Sequence, residues 1–348
     1  MRKVSHHYVP QFYLRNFSEN SKNIGMYINR HKNYINSASI KKQACKNYLY
    51  GKDQTIEDTL MDIEYRASII IKHIINTYEL PPKETEDYHI LLMFILLQEA
   101  RVQRQADSMN NFINQLSKTM IRMMKEHEKI EADDKIIDEM NVTMDIPNLT
   151  SMQAAIEVYP IMLDLKPSLI IVNNDRMFIT SDNPVVRYNY MYVIRNYLLR
   201  GYGLGNMGIQ MFFPISPKCC IYIYDHIMYD IKLKEKNTIV LDKGKHVDQL
   251  NKLFYLNSYE FLYFNQNVKE TYIRKIVSNN RNDDDVSKEL TMFGSPSNKL
   301  FALQQKFVRN KINMPFIRIN SKLINMPLPY HMAGPIRPYA KQFMKKED

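Results

Sequence analysis

The stretch SHHYVPQFYLRNF, residues 5–17, stands close to the start of the chain. It places two adjacent histidines, His6 and His7, before a Val-Pro step and a run of aromatic residues. Aromatic side chains bury large apolar areas, so this run is expected to pack into a core. Neutral imidazoles bind divalent metals and act as general bases near pH 7. We therefore expect this stretch to open a folded domain and to hold a polar site there. The alternative is that the aromatics are core and one histidine only bonds a neighbouring carboxylate.

Composition places the chain among ordinary globular proteins. It has 348 residues, of which 45% are hydrophobic and 24% charged, and this is enough apolar material for a core. The three cysteines include an adjacent pair and form no C-x-x-C motif, which favours a reducing compartment without a cysteine zinc site. The longest apolar run, residues 91–97, is far shorter than the roughly 20 residues that span a bilayer. No apolar segment of a signal peptide follows the basic residues near the N-terminus. We expect a soluble, cytoplasmic protein that does not bind membranes.

The positive charge is concentrated at the two ends. Residues 1–50 hold nine Lys and Arg against one acid, and residues 299–348 hold ten against two, so each segment carries +8. The net charge of the whole chain is +10, which leaves −6 for the middle. If the ends meet in space, they form one positive surface whose natural partner is a nucleic acid. The alternative is solubility charge on two peripheral segments.

Residue periodicity predicts an α+β fold. Apolar residues from Ile56 to Ile74 recur at three and four residues, which is typical of a helix face, and a second helical region is expected from Thr85 to about residue 130, with a break. Short β-branched and aromatic runs then indicate strands. The pattern of residues 246–264 again predicts a helix. We expect a helix-rich N-terminal half, with a short β-hairpin around residues 30–32, packed on a mixed or antiparallel sheet from the second half. A single domain would cover residues 1–295, and a basic, proline-containing extension would cover 296–348.

Two glutamates and an arginine are candidates for chemistry in the helical half. Glu57 and Glu64 are seven residues apart, nearly two helical turns, so they share a helix face beside the apolar stripe. There they can meet an imidazole or a metal, or they can form salt bridges at a solvated edge. Arg101 follows a very apolar helix, and it can make a fork to a buried carboxylate or hold a phosphate.

A second polar group follows a strand-like run in the sheet half. Ser181, Asp182 and Asn183 stand before Pro184, and such residues bond their own backbone in turns. Asp182 is also a suitable hard ligand for magnesium or manganese. Residues 203–208 spell G-x-G-x-x-G, but a strand follows them where the dinucleotide fingerprint requires a helix. We therefore expect no nucleotide cofactor, and we interpret these residues as a flexible loop.

The quoted stretches resemble a known family. HHYVPQFYLRNF at 6–17 and FITSDNPVV at 178–186 resemble the two signatures of an uncharacterised, mostly bacterial family, domain of unknown function number 4238. Residues 56–67 and 96–104 resemble its helical signatures. The resemblance implies one contiguous domain up to about residue 265 and a setting in bacterial conflict and anti-phage defence. The His pair before proline also resembles the first motif of HNH-type nucleases, although the later Asn and His of that motif are missing from their places.

Three functional hypotheses follow from these residues. The first is a metal-dependent nuclease or phosphodiesterase, in which His6, His7 and Asp182 are catalytic, and Arg101, Ser181 and Asn183 bind substrate. A divalent ion, Mg²⁺ or Mn²⁺, would be held by Asp182, Glu57, Glu64 and His7. The second is a non-catalytic module that binds nucleic acid or a protein partner of a defence system. The third is an enzyme for a small anionic substrate, with the glycine-rich loop as a lid.

Overall fold

A computed structural model describes residues 5–51, 55–128, 133–196, 201–278, 280, 290–295, 298–303, 307–327 and 334–343. The helices are α1 (Gln11–Arg15), α2 (Thr55–Thr77), α3 (Glu86–Ala100), α4 (Gln103–Glu128), α5 (Asp134–Glu139), α6 (Leu149–Glu157), α7 (Tyr190–Ile194), α8 (Gly244–Asn257) and α9 (Glu270–Ser278). The first strands are β1 (Ser5–His7), β2 (Asn23–Ile28), β3 (Asn33–Ser39), β4 (Cys45–Asn47), β5 (Lys166–Val172), β6 (Thr180–Ser181) and β7 (Val186–Tyr188). The remaining strands are β8 (Gln210–Ser216), β9 (Cys219–Tyr224), β10 (Tyr229–Asp230), β11 (Thr238–Leu241), β12 (Phe261–Phe264), β13 (Leu290–Ser295), β14 (Asn298–Leu303) and β15 (Arg318–Ile319). The predicted α+β class is confirmed, with a helix-rich first half and a sheet-rich second half.

The central sheet has the strand order β11-β5-β9-β8-β7. β11 and β5 are parallel, and the other pairs are antiparallel. Both faces of this sheet are buried, and successive side chains of a strand enter opposite cores. On β8, for example, Phe213 enters the core shared with α1 to α3, whereas Phe212 enters the core shared with α8 and α9. The sheet is therefore the middle layer between two helical layers.

A second, antiparallel sheet joins the N-terminal hairpin to the C-terminal half. Its strand order is β3-β2-β12-β6, so residues from three distant parts of the chain share one ladder. The hairpin predicted around residues 30–32 is confirmed by β2 and β3. The prediction of a helix over 246–264 is confirmed for α8. It is wrong for the end of that range, because Phe261–Phe264 pairs with β2 and β6 as a strand.

The helical region predicted from Thr85 is interrupted where expected. α3 ends at Ala100 and α4 begins at Gln103. The side chain of Asn148 caps this junction, because its amide Nδ2 donates to the carbonyl oxygen of Arg101 at 2.7 Å. Within the part of the chain that is described, no helix is both long and apolar enough to cross a bilayer.

The described parts of the C-terminal segment pack on the body. Ile312 and Met314 are buried in the core that α8 and α9 share with the central sheet. Arg337 is fully buried, and its guanidinium binds Asp164 at 2.8 and 3.0 Å. One of the basic residues counted at this end therefore forms an internal ion pair and adds nothing to a positive surface. The polar sequence NNRNDDDVS at residues 279–287 predicts a mobile loop, and these residues lie outside the described ones except for Asn280.

Candidate functional site

The two histidines of the first signature point to different environments. Both belong to β1, which pairs with β4 so that His6 lies opposite Lys46 and His7 opposite Cys45. Successive side chains of a strand point to opposite faces. Accordingly His6 is fully buried, whereas His7 is half-buried at the surface. The two imidazoles therefore cannot share one role.

His6 is held inside the protein by Tyr50. Its Nδ1 accepts a hydrogen bond from the backbone N–H of Tyr50 at 3.1 Å, and the two rings stack with centroids 5.5 Å apart. A ring nitrogen that accepts an N–H carries no proton, so the neutral imidazole of His6 carries its proton on Nε2. His6 is thus oriented as a donor through Nε2.

His7 belongs to a chain of polar side chains on the surface. The amide Nε2 of Gln11 lies 3.3 Å from Nε2 of His7, and Oε1 of Gln11 accepts from Nη2 of Arg15 at 2.9 Å. Because Arg15 can only donate, the amide oxygen of Gln11 faces Arg15 and its N–H faces His7. Nε2 of His7 is therefore the accepting, unprotonated nitrogen. We call His7, Gln11 and Arg15 the surface trio.

Behind the surface trio lies a buried group of charged and polar side chains that we call the polar centre. Arg101 is its hub and is only 1% exposed. Its Nη1 donates to Oε1 of Glu64 at 2.5 Å, and its Nη2 donates to Oε1 of Gln98 at 2.9 Å. Burial lowers the pKa of Arg101, but Glu64, Tyr50 and Glu57 act in the opposite direction and raise it above its ordinary value. The guanidinium is therefore a permanent cation in this interior. The members of the polar centre are His6, Tyr50, Glu57, Glu64, Gln98 and Arg101.

The glutamates of α2 lie beside this cation, a partner that their spacing did not predict. Glu64 is paired with Arg101, and the buried Glu57 acts on the pKa of both Arg101 and Tyr50. Of the two alternatives for Arg101, the structure contains contact with a carboxylate, but as a single bond from Nη1 to Oε1 of Glu64 and not as a fork. Reaching a substrate phosphate would require Arg101 to leave Glu64 and Gln98.

Asp182 is bound to backbone amides of a neighbouring segment. Its Oδ1 accepts from the N–H of Tyr259 at 2.9 Å, and its Oδ2 accepts from the N–H groups of Glu260 and Phe261 at 2.7 and 3.1 Å. Burial raises the pKa of this carboxyl to about 7, although the hydrogen bonds from the three backbone amides act to lower it. Asp182 therefore fixes the turn that leads into β12.

Ser181 and Asn183 are bonded locally in the same way. The hydroxyl oxygen of Ser181 accepts from the N–H of Asn183 at 3.1 Å. The side chain of Asn183 donates to the carbonyl oxygen of Asn257 at 3.0 Å, and the side chain of Asn257 donates back to the carbonyl of Asn183 at 2.8 Å. These bonds tie the second signature to the C-terminal end of α8.

The structure therefore separates the predicted site residues into groups. His6, Glu57, Glu64 and Arg101 come together in the polar centre, whereas Ser181, Asp182 and Asn183 are occupied in joining β6 to α8 and β12. Among the described residues, no three His, Cys, Asp or Glu side chains are grouped so that they could hold a metal ion. Glu64 and Asp182 would have to exchange their present partners to bind one. The set of Asp182, Glu57, Glu64 and His7 as metal ligands stays a prediction.

Sequence reasoning missed several members of this arrangement. Tyr50, Gln98 and Asn148 are each buried, and each links segments that are distant in sequence. Gln98, for instance, donates to the carbonyl oxygen of Tyr8 at 2.9 Å while it accepts from Arg101. The available signal was its place three residues before Arg101 on the same helix face.

Comparison with known proteins defines a class for this chain. A family model described as "Protein of unknown function (DUF4238)" matches residues 5–267. The chain belongs to this family, and the match begins at the strand that carries the two histidines. No curated protein and no solved structure matched the chain.

Proposed function

We propose that this chain is a nuclease or related phosphodiesterase in which the surface trio forms the reacting site. One observation carries the proposal: His7 stands at the surface with its unprotonated Nε2 oriented by Gln11, which Arg15 orients in turn. An oriented imidazole is a general base, and a neighbouring guanidinium stabilises phosphate charge. The setting that we propose is bacterial anti-phage defence, and the family membership is compatible with it.

The polar centre acts in this proposal as a support and does not touch substrate. Tyr50 donates its backbone N–H to His6, and its hydroxyl lies 3.4 Å from the carbonyl oxygen of His7. Gln98 holds the next carbonyl, that of Tyr8. The backbone on both sides of His7 is thereby fixed from the buried side. A rigid backbone is what a general base requires, because a small misplacement slows a proton transfer strongly.

The residues present suggest how a metal-free reaction would proceed. His7 would accept the proton of an attacking hydroxyl through Nε2, whose single lone pair the hydroxyl would take over from Gln11, while Arg15 balances the charge on the phosphate. As the new P–O bond forms, the bond to the leaving 5′-oxygen would break, and this oxygen would take up a proton from water, to which His7 later returns its own. The 2′-hydroxyl of RNA is an internal nucleophile, so this route favours RNA over DNA. The divalent ion considered in the sequence analysis remains a proposal, and chelation tests it independently.

The test is cleavage of fluorescently labelled single-stranded RNA and DNA by purified protein, with and without a chelator. We expect cleavage of RNA, and we expect His7→Gln to slow it by about 100-fold or more, the usual contribution of a general acid or base. His31→Gln is the matched control, because His31 is an exposed histidine in the turn between β2 and β3. Loss of cleavage on chelation would support the metal-dependent form of the proposal. Full activity of His7→Gln, with the same melting temperature, would refute the role of His7.

A non-catalytic binding module is the second candidate, and a specific observation favours it. Ser181, Asp182, Asn183 and Arg101 are all bonded to groups of the protein itself. In that case the protein should bind nucleic acid with an affinity that falls steeply with salt and should cleave nothing. His7→Gln would then leave binding intact. The same preparations therefore discriminate between the two functions.

A further inference from the structure

A pocket of about 270 Å³ lies between α3, α6, β7 and the glycine-rich loop. Its apolar lining includes Leu96 and Ala100 of α3, Ala155 and Val158 at α6, and Leu204 and Gly205 of the loop. Its volume is just below the roughly 300–1,000 Å³ of typical small-molecule sites. The pocket is therefore large enough for a ligand the size of one or two fused rings.

The glycine-rich loop is a fixed wall of this pocket. The side chain of Asn189 donates to the carbonyl oxygens of Gly201 and Met207 at 2.7 and 2.9 Å. From the other side, Nη1 of Arg337 donates to the carbonyl oxygen of Leu204 at 2.6 Å. Gly201 has a positive φ of 91°, a conformation that glycine adopts readily. The flexible lid expected from the sequence is thus a bonded loop in this structure.

One charged pair stands in the wall of the pocket. Arg187 of β7 and Glu99 of α3 both line it and form an ion pair. Nη2 of Arg187 donates to Oε2 of Glu99 at 2.7 Å, whereas Nε lies 2.5 Å from Oε1 without the geometry of a hydrogen bond. Their side chains are 19% and 11% exposed. Each carboxylate oxygen has a second lone pair, and Nη1 of Arg187 takes no part in this ion pair. The pair therefore offers an acceptor beside a donor, with no net charge.

We propose that this pocket binds the base of a ribonucleoside that carries a ring N–H next to a carbonyl, which among the four common ribonucleosides means guanosine or uridine. Glu99 would accept the N–H group or groups of the base, and Arg187 would donate to its carbonyl oxygen. The apolar walls would cover the faces of the ring, whose burial supplies most of the binding free energy. In adenosine and cytidine the base has no ring N–H beside a carbonyl, so these nucleosides would leave one partner of the pair unsatisfied. The inference goes beyond the proposed function, because a nucleoside can bind whether or not the chain cleaves phosphodiesters.

The experiment measures binding of guanosine, uridine, adenosine and cytidine to the full chain by ligand-observed NMR and calorimetry. We expect guanosine or uridine to bind at least about tenfold more tightly than adenosine and cytidine, because sites built around a hydrogen-bonding group reject analogues that lack it. Ala154→Phe should weaken binding at least about tenfold, a loss of 1.4 kcal/mol. Ala154 is an exposed residue of the pocket lining, so the larger side chain fills the opening without entering the core.

Gln153→Phe is the matched control. Gln153 is exposed on the same helix, one residue before Ala154, and is not part of the lining. It should leave binding unchanged, and both variants should melt at the wild-type temperature. The proposal is overturned if neither guanosine nor uridine binds at about 5 mM, if all four nucleosides bind equally, or if Ala154→Phe binds like wild type. RNA cleavage without nucleoside binding would refute the role of this pocket and leave the proposed function standing. Nucleoside binding without RNA cleavage would support the pocket and refute the proposed function.

Discussion

Removing the carboxylate of Glu64 tests whether the polar centre holds the N-terminal half together. Glu64→Ala would leave the guanidinium of Arg101, which is 1% exposed, without its ion-pair partner. Breaking a fully buried pair from one side costs about 3–5 kcal/mol. The side chain of Glu64 is itself 25% exposed, so water can replace part of the lost interaction. We therefore expect a loss of about 2 kcal/mol in the free energy of unfolding, a value between the cost of breaking a buried ion pair and that of breaking a surface ion pair.

The assay is urea denaturation of a double-mutant cycle. The cycle comprises wild type, Glu64→Ala, Arg101→Met and the double variant. Methionine keeps much of the volume of arginine and needs no partner, so the double variant contains no unpaired charge. Replacement of a buried ion pair by apolar residues is often nearly neutral. We expect the double variant to be more stable than the sum of the single losses predicts, with a coupling energy of about 1–2 kcal/mol.

Asp62→Ala supplies the control for this cycle. Asp62 is an exposed carboxylate on the same helix, and its replacement should change the free energy of unfolding by less than about 0.5 kcal/mol. Additive losses in the cycle, with a coupling below about 0.5 kcal/mol, would show that Glu64 and Arg101 do not stabilise each other. The polar centre could then not be the rigid support that the proposed function requires.

Two further predictions concern the second signature. The pKa of Asp182 in the folded chain, about 7, lies above the ordinary value of 3.8, so the folded chain binds this proton more tightly than the unfolded chain does. The contribution of the protonated Asp182 to stability therefore falls as pH rises from about 4 to 7. An NMR titration of the Cγ carbon should show a midpoint near pH 7 that is absent in Asp182→Asn, and a midpoint below about pH 5 would contradict this reasoning. Tyr13→Phe should lower the free energy of unfolding by about 1–3 kcal/mol in urea, because the Tyr13 hydroxyl lies 2.6 Å from both Thr180 Oγ1 and the Pro214 carbonyl oxygen. Tyr48→Phe, at an exposed tyrosine, should have no comparable effect, and equal losses in both variants would refute the role of these bonds.

Local patterns were sufficient to predict the long helices and the hairpin. α2 begins at Thr55 and ends before the Pro81–Pro82 step, and the next helical region breaks near residue 101, because propensity, periodicity and proline act within a few residues. β12 was missed for the opposite reason. Its apolar residues continue the pattern of α8, and only pairing with β2 and β6 makes them a strand. That pairing depends on residues more than 80 positions away on one side and 230 on the other.

The site was predictable in its residue types and not in their partners. The seven-residue spacing of Glu57 and Glu64 predicted that both glutamates lie on one face of α2, and both lie beside Arg101. Nothing in the spacing could show that Arg101, 37 positions after Glu64, would approach from another helix. Both histidines were predicted to be catalytic because β1 is only three residues long, too short for alternation to be recognised. Strand geometry separates them completely.

The two signatures that the sequence presents as separate motifs are in contact in the fold. Tyr13 of the first bonds Thr180 of the second, and Asp182 then fixes the turn into β12. The inward residues of the first signature are therefore explained by folding alone. Its outward residues are different, since Gln11 is half-buried and Arg15 is exposed, and exposed polar residues add little to stability. A functional role for this signature must consequently be sought in His7, Gln11 and Arg15, and the comparison of His7→Gln with His31→Gln addresses these residues without disturbing the core.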